Sequence, residues 1–306
     1  MPPHPVSPLA TGGAGVVYEY LVAAMMLSRL LRGAHAPVGI DQPLTRVALQ
    51  QRNAGYPLDD IVAFAGPDED PVTLQIQVKR SLQVTGRNVE LIAVVTAALE
   101  ACRAHEVATA SGSVADGSMQ LGLAARAPAE ELAELAGLTD RARAHARPDG
   151  LRALLRKGIT ASSLRARYDH VATAVATAAG VTDDAAVHAL THQILARLHV
   201  WQVRTDPDDH AWRAELDGLA DVVAGTRWSP ADLLSQLYNL AGQFGPHSGV
   251  LDAKLLRREV LRRFSVRLAD SHTTATQTGL RPGVVHYGTG DVNVAHQMIF
   301  QNHRSS

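Results

Sequence analysis

An aspartate, a glutamine and a lysine separated by a short reversal are the residues of this chain best suited by type and spacing to do chemistry. Asp60 ends the run Leu58-Asp59-Asp60, and Gln77 and Lys79 lie in Val72-Thr73-Leu74-Gln75-Ile76-Gln77-Val78-Lys79-Arg80. Between them, Gly66-Pro67-Asp68-Glu69-Asp70-Pro71 has the make-up of a sharp turn, and both flanks are rich in β-branched and aliphatic residues. Residues 58–80 therefore read as a β-hairpin. Pairing symmetric about the turn puts Asp60 across from Gln77, with Cβ atoms roughly 4.5–5.5 Å apart. Strand alternation then adds Lys79 to that face and sends Leu74, Ile76 and Val78 to the other. A hard divalent cation takes oxygen ligands, which Asp60, the side-chain oxygen of Gln77 and the carbonyl of Val78 can supply. Lys79 can orient a water and offset charge growing on a phosphate. The chemistry of such a set is magnesium-dependent phosphodiester hydrolysis. Any half-exposed strand also alternates apolar and polar residues, and Gln-x-Lys alone is a common word.

The elements around this hairpin must hold it in place. Thr11-Gly12-Gly13-Ala14-Gly15 precedes a helix expected from Val16 to about Arg32, with Thr11 or a glycine as its cap. The glycines lack a Gly-Lys-Ser/Thr and a preceding strand, so they are not a phosphate loop; they allow a close approach of the helix start to a neighbour or to a DNA backbone. Glu19 has Ala23, Met26 and Leu30 at helical spacing. A carboxylate among such neighbours needs a cation, a metal or a donor, unless its place near the helix start satisfies it. Leu44–Gln50 reads as a strand before the hairpin, Val89 to about His105 as a helix with apolar spacing, and Met119–Ala125 as a further strand. The order helix, three strands, helix, strand, then helix predicts an α/β/α sandwich on a mixed sheet.

Glu19 in Gly15-Val16-Val17-Tyr18-Glu19, Asp60 in Leu58-Asp59-Asp60-Ile61, and Gln77 with Lys79 in Leu74-Gln75-Ile76-Gln77-Val78-Lys79 follow one another in an order that resembles the restriction-endonuclease-like PD-(D/E)xK nucleases. The resemblance covers about residues 11–125. It is nearest to the N-terminal double-strand DNA endonuclease domain of bacterial anti-phage effectors, the CBASS-associated nucleases and STAND-type NTPases. Mrr-like enzymes also use Gln in place of the middle acid. The resemblance implies a restriction-endonuclease-like α/β/α sandwich, catalysis by Glu19, Asp60, Gln77 and Lys79, magnesium held by Asp60, Gln77 and Glu19, and double-stranded DNA as substrate. A register shifted by one residue would put Asp59 in place of Asp60.

With 306 residues and 46% hydrophobic content the chain can bury a sizeable core, and a formal net charge of -1 leaves any DNA affinity to local patches. The single cysteine, Cys102, excludes an intramolecular disulfide framework, fits a reducing cytosol and is expected to pack in a helix. Met1-Pro2-Pro3-His4-Pro5 has no signal-peptide character, and the apolar run Val16–Leu31 is interrupted by Glu19 and Arg29, so a cytoplasmic protein is expected.

Four regions are expected: a disordered leader (1–10), the nuclease domain (11–148), an all-α domain (149–270), and a linker with a β-prone tail (271–306). Beyond Pro128 helices are expected at Ala129–Ala136, Gly150–Lys157, Ser162–Ala179, Asp183–Arg204, His210–Ala224, Pro230–Phe244 and Leu251–Leu268, with Ser229 capping Pro230. His188, His192 and His199 fall at zinc-like spacing on one of these but lack an acid or Cys partner, so they read as a helix face. Lys254, Arg258 and Arg262 form a stripe that reads as a solvated face or as a contact to DNA or an acidic partner. Leu233, Leu234, Leu237, Tyr238, Leu240 and Phe244 crowd one helix and suggest self-association into a homo-oligomer.

No Gly-x-x-x-x-Gly-Lys-Ser/Thr is present, so control is expected from oligomerisation or from a separate NTPase or sensor protein. Gly283–Asn302 alternates short β-prone runs with Gly and Asn and is similar to the amyloid-signalling motifs that couple bacterial effectors to such sensors; a disordered tail or a single hairpin fits it as well. The alternative to an endonuclease is a non-catalytic adaptor that keeps a nuclease-like scaffold and binds a partner through its helical region and tail.

Overall fold

The computed structural model describes residues 13–115, 117–156, 158, 160–204 and 209–265; the leader and the β-prone tail lie outside them. Strands β1 (Leu44–Leu49), β2 (Ile61–Ala65) and β3 (Val72–Ser81) form an antiparallel meander. The hairpin register pairs Ile61 with Ile76 and Ala63 with Leu74, which is the symmetric pairing expected from the turn. Helix α2 (Val89–Ala110), capped by the Asn88 side chain on the Leu91 N–H at 2.9 Å, returns the chain so that β4 (Met119–Ala127) runs parallel to β3. A parallel neighbour requires such a crossover, because a tight turn can only join antiparallel strands. Cys102 is buried within α2.

Two strands come from the stretch expected to be all helical. The helix expected to run to Arg204 stops: α6 spans Asp184–Arg197, and β5 (Leu198–Gln202) pairs parallel with β4. Leu198-His199-Val200-Trp201-Gln202 has β-branched and aromatic residues, and the open edge of β4 offers it hydrogen bonds that a helix would have to forgo. The expected start of the last helix at Leu251 is likewise a strand, β6 (Val250–Asp252), antiparallel to β1; Asp252 then caps α9 (Ala253–Phe264). The sheet is thus six-stranded in the order β5-β4-β3-β2-β1-β6. The expected boundary between residues 148 and 149 does not divide the fold, since this one sheet draws strands from both sides of it. The described residues belong to a compact unit ending at Ser271.

Alternation along the strands builds two cores. Ile61, Ala63, Leu74, Ile76 and Val78 point to the layer formed by α1 (Gly13–Arg32), α7 (His210–Val223), α8 (Pro230–Phe244) and α9. Leu121, Leu123 and Ala125 point to the layer of α2, α3 (Ala129–Ala144), α4 (Pro148–Arg156), α5 (Ser162–Ala179) and α6. The leucines that suggested a sticky helix are spent inside the chain: Leu233, Leu234, Leu237 and Leu240 are fully buried, in one cluster with Met26, Leu27 and Leu30 of α1. Tyr238 meets Tyr20 edge-on at 6.2 Å. An apolar surplus therefore no longer argues for self-association. α8 opens with the Ser229 and Asp232 capping box around Pro230. α7 is tied to α1 by the wholly buried Glu215, which receives Arg29, Arg32 and the Ser28 hydroxyl, the Arg32 contact at 2.5 Å. A carboxylate without solvent needs that many donors.

Candidate functional site

One end of the sheet gathers the residues singled out by their chemistry. There β1 finishes, β2 starts, β3 approaches its last residues, and the first turns of α1 come alongside. The chain reaches β2 through a short 3-10 turn at Arg52–Ala54 and Gly55, whose φ of 90° only glycine adopts cheaply. Leu58, fully buried, anchors the segment, and the backbone ladder continues beyond the strands as Gln51 N–H to Asp59 O (2.9 Å) and Gln50 N–H to Asp60 O (3.1 Å). This holds Asp60 with only 9% of its surface exposed. Its Oδ2 accepts the Val78 N–H at 2.7 Å and the Gln77 Nε2. The unshifted register therefore sets Asp60, not Asp59, against Gln77. Val78, expected to offer its carbonyl, touches Asp60 through its N–H.

Glu19 reaches the same place from α1. It lines a cleft of about 370 Å³ together with Val16, Tyr20, Arg52, Asp59 and Asp60. Burial pushes its carboxyl up to about 7; the Asp60 charge adds to the rise, and the Gln50 hydrogen bond and the Lys79 charge oppose it. Asp60 is pushed up to about 6, again chiefly by burial and further by Asp59, against the pull of the Val78 N–H, Lys79 and Gln77. Asp59 is also raised by burial. Lys79 thus stands near enough to bias all three carboxylates, and the structure brings Glu19, Asp60, Gln77 and Lys79 together.

Crowded, half-desolvated carboxylates hold protons when no other positive charge is at hand, and a divalent cation is the usual relief. Glu19 and Asp60 fit that ion: they are hard oxygen donors at an open cleft, and both hydrogen bonds to Asp60 end on Oδ2. Gln77 fits it only after its amide turns over, because Nε2 now faces Asp60. Among the described residues no three His, Cys, Asp or Glu side chains are grouped as a metal cluster; the expected ligands include only two carboxylates, beside an amide.

Two residues that sequence reasoning passed over complete the cleft. Gln50 ends the expected strand Leu44–Gln50, yet it sits at φ 53°, and its Nε2 donates to Glu19. Ser248 sits at φ 52°, lines the same cleft and donates its hydroxyl to the Gln50 carbonyl at 2.8 Å. Non-glycine residues in the left-handed region cost energy and persist where the surroundings hold them. Here the Gln51 amide, bonded to Leu49 O at 2.8 Å and Ser248 O at 2.9 Å, braces both. No sequence pattern marks either residue; β6 brings Ser248 in from a segment almost two hundred positions away.

The other candidates disperse. His188 stacks on Tyr168, with ring centroids 5.6 Å apart, His192 meets the His145 carbonyl at 2.6 Å, and His199 lies on β5 against Gln120 at 3.1 Å. Burial pushes His199 down to about 4. In the basic stripe Arg262 pairs with Glu259, whose other partner is Arg263.

No protein-family model matches the sequence, and no curated protein matches it. Among solved structures the chain is similar to the Cap4 SAVED/CARF-domain containing receptor of Acinetobacter baumannii with the cyclic trinucleotide 3'3'3'-cAAA, at TM-score 0.44 and 10% identity over 81% of this chain and 44% of that one. It is similar also to the Cap4 SAVED/CARF-domain containing receptor of Moraxella osloensis, at TM-score 0.40 and 10% identity over 81% of this chain and 47% of that one. The chain spans less than half the length of either receptor.

Proposed function

We propose that the chain is a metal-dependent double-stranded DNA endonuclease of the restriction-endonuclease-like PD-(D/E)xK type, a cytoplasmic effector of anti-phage defence that uses magnesium. The observation that carries this reading is the convergence of Glu19, Asp60, Gln77 and Lys79 at one cleft-bearing end of the sheet, from α1, the start of β2 and the end of β3. The order of a helix, three antiparallel strands, a crossover helix and a parallel strand supports it, being compatible with an α/β/α sandwich on a mixed sheet.

Glu19 and Asp60 would hold the cation, joined by the oxygen of Gln77 once its amide has turned. Such a cation, when bound, would supply Lewis-acid polarisation of the scissile phosphate. Lys79 holds the attacking water and offsets the charge that grows on the phosphate oxygens. The water oxygen bonds to phosphorus as the bond to the leaving sugar oxygen breaks, the water gives up a proton to solvent, and the sugar oxygen takes one from solvent. Cutting both strands takes two sites, so a two-fold homo-oligomer or a separate sensor protein is the simplest control. No described helix is long and apolar enough to cross a membrane.

One observation favours the non-catalytic adaptor: Gln77 and Val78 satisfy Asp60 Oδ2 without any ion. Plasmid cleavage with magnesium separates the two. The wild-type protein is expected to linearise DNA, and Lys79→Ala and Asp60→Asn to lose at least about a hundredfold in rate. Asp60→Asn keeps an oxygen for the Val78 N–H and so spares the fold. Gln77→Glu is expected to remain active, because it supplies the oxygen without rotation. Full cleavage by Lys79→Ala would overturn the assignment of this site, and no cleavage by the wild type as monomer or enforced dimer would leave the adaptor.

A further inference from the structure

On the side of the sheet away from α1, helices α4, α5 and α6 surround a cleft of about 690 Å³, within the roughly 300–1,000 Å³ of small-molecule sites. Its apolar wall comes from Leu155, Ala172 and Val187. Around it the arginines divide into two kinds. Arg152 is held by Asp184 at 2.5 Å, and Arg167, facing elsewhere, by Glu131 at 3.2 Å and Glu134 at 2.9 Å. Arg156 and Arg165 both line the cleft, and neither has a carboxylate within ion-pair distance among the described residues. Asp184 is further engaged by His188 Nε2 at 3.1 Å, and His188 Nδ1 by the Tyr168 hydroxyl at 2.7 Å, so this wall is fixed before any ligand arrives. Asp169 remains as an exposed carboxylate lining the same cleft.

We infer that this cleft binds a small phosphorylated polyol, of the size and kind of a sugar phosphate, with its phosphate between Arg156 and Arg165 and a hydroxyl on Asp169. Two guanidinium groups balance the charge of a phosphate dianion and match its oxygens in pairs. A monocarboxylate would neutralise one of them. The exposed carboxylate accepts hydroxyl protons and repels a second anionic group, so the ligand carries its charge at one end. The cleft is separate from the Glu19 and Asp60 site and shares none of its residues, so this inference stands apart from the nuclease reading.

Calorimetric titration of the full chain tests it, with ribose 5-phosphate, ribose, pyrophosphate and citrate as probes. Ribose 5-phosphate is expected to bind below about 1 mM, and ribose not to bind. Arg156→Ala combined with Arg165→Ala is expected to weaken ribose 5-phosphate at least about tenfold with the melting temperature unchanged, since one side chain is exposed and the other half-buried. Asp169→Asn is expected to weaken ribose 5-phosphate and, by removing the repulsion of a second anionic group, to tighten pyrophosphate. Absence of binding by both phosphates, affinity indifferent to the two arginines, or tighter binding of citrate than of ribose 5-phosphate would each overturn the site. Equal affinity for pyrophosphate and ribose 5-phosphate, unaltered in Asp169→Asn, would overturn the polyol assignment.

Discussion

Glu19 carries the most informative charge in the protein. Its folded value, about 7, stands above the ordinary 4.5, so between these pH values the folded chain binds a proton that the unfolded chain has released. That contribution to stability is complete below pH about 4.5 and drains away as the pH rises toward 7. Glu19→Gln never loses it. The variant is therefore expected to equal wild type in thermal melts near pH 4 and to exceed it at pH 8 by on the order of 1 kcal/mol, after allowance for partial exposure. If Glu19 holds the proposed cation, magnesium at pH 8 should raise the wild-type melting temperature more than that of Glu19→Gln, which lacks one of the two carboxylate ligands. A variant less stable than wild type at pH 8 without metal would contradict the crowding of these acids. Gln50→Gly makes the complementary test: glycine accepts φ 53° freely, and only the amide that steadies Glu19 is lost. A hydrogen bond to a charged group is worth about 1.5 kcal/mol or more, so on the proposed nuclease reading about tenfold more magnesium should be needed for half-maximal cleavage. Asp60, Gln77 and Lys79 were legible beforehand because strand alternation and one turn fix who faces whom. Gln50 and Ser248 were not, since a left-handed residue without glycine leaves no trace in composition.

The hairpin and its crossover followed from local pattern: β-branched runs, a Gly/Pro turn and an Asn cap agree with the tertiary structure, and the observed register is the symmetric one. β5 and β6 did not. Each is short, five residues for one and three for the other, and each adjoins a helix whose pattern runs straight into it. What makes them strands is an open edge built by distant residues, β4 for one and β1 for the other. The link between α1 and α7 shows the same dependence on partners far away in sequence. Glu215→Ala removes the buried acceptor of Arg29, Arg32 and Ser28 and is expected to cost about 3 kcal/mol in urea unfolding. The joint replacement Glu215→Leu, Arg29→Met and Arg32→Met should recover most of it, because a well-packed apolar contact stands in for a desolvated ion cluster. If the single variant unfolds with the wild-type midpoint, the cluster adds nothing to the packing of these helices.

The division into a nuclease domain and an all-α domain failed for a reason that has consequences for the chain as a unit. Composition does shift after Pro128, but that shift marks where helices outnumber strands and not where contacts stop. Residues 149–265 supply both outer strands of the sheet and three of the four helices covering the face on which α1 lies. They also supply Gly245, Pro246 and Ser248 to the cleft beside Glu19. A fragment of residues 1–148 would therefore bare Met26, Leu27 and Leu30 of α1, Leu121 and Leu123 of β4, and both edges of the sheet at once. Each buried aliphatic side chain returned to water costs about 1.5–3 kcal/mol, so these five alone are comparable to the whole margin of a typical domain. The fragment is expected to bind a hydrophobic dye, to lack near-ultraviolet dichroism and to aggregate through its exposed edges. A fragment of residues 1–271 keeps every described contact and is expected to retain the near-ultraviolet dichroism that 1–148 lacks. A cooperative, monomeric 1–148 with sharp tertiary signals would mean that the helices after Pro128 lean on a core already sufficient without them.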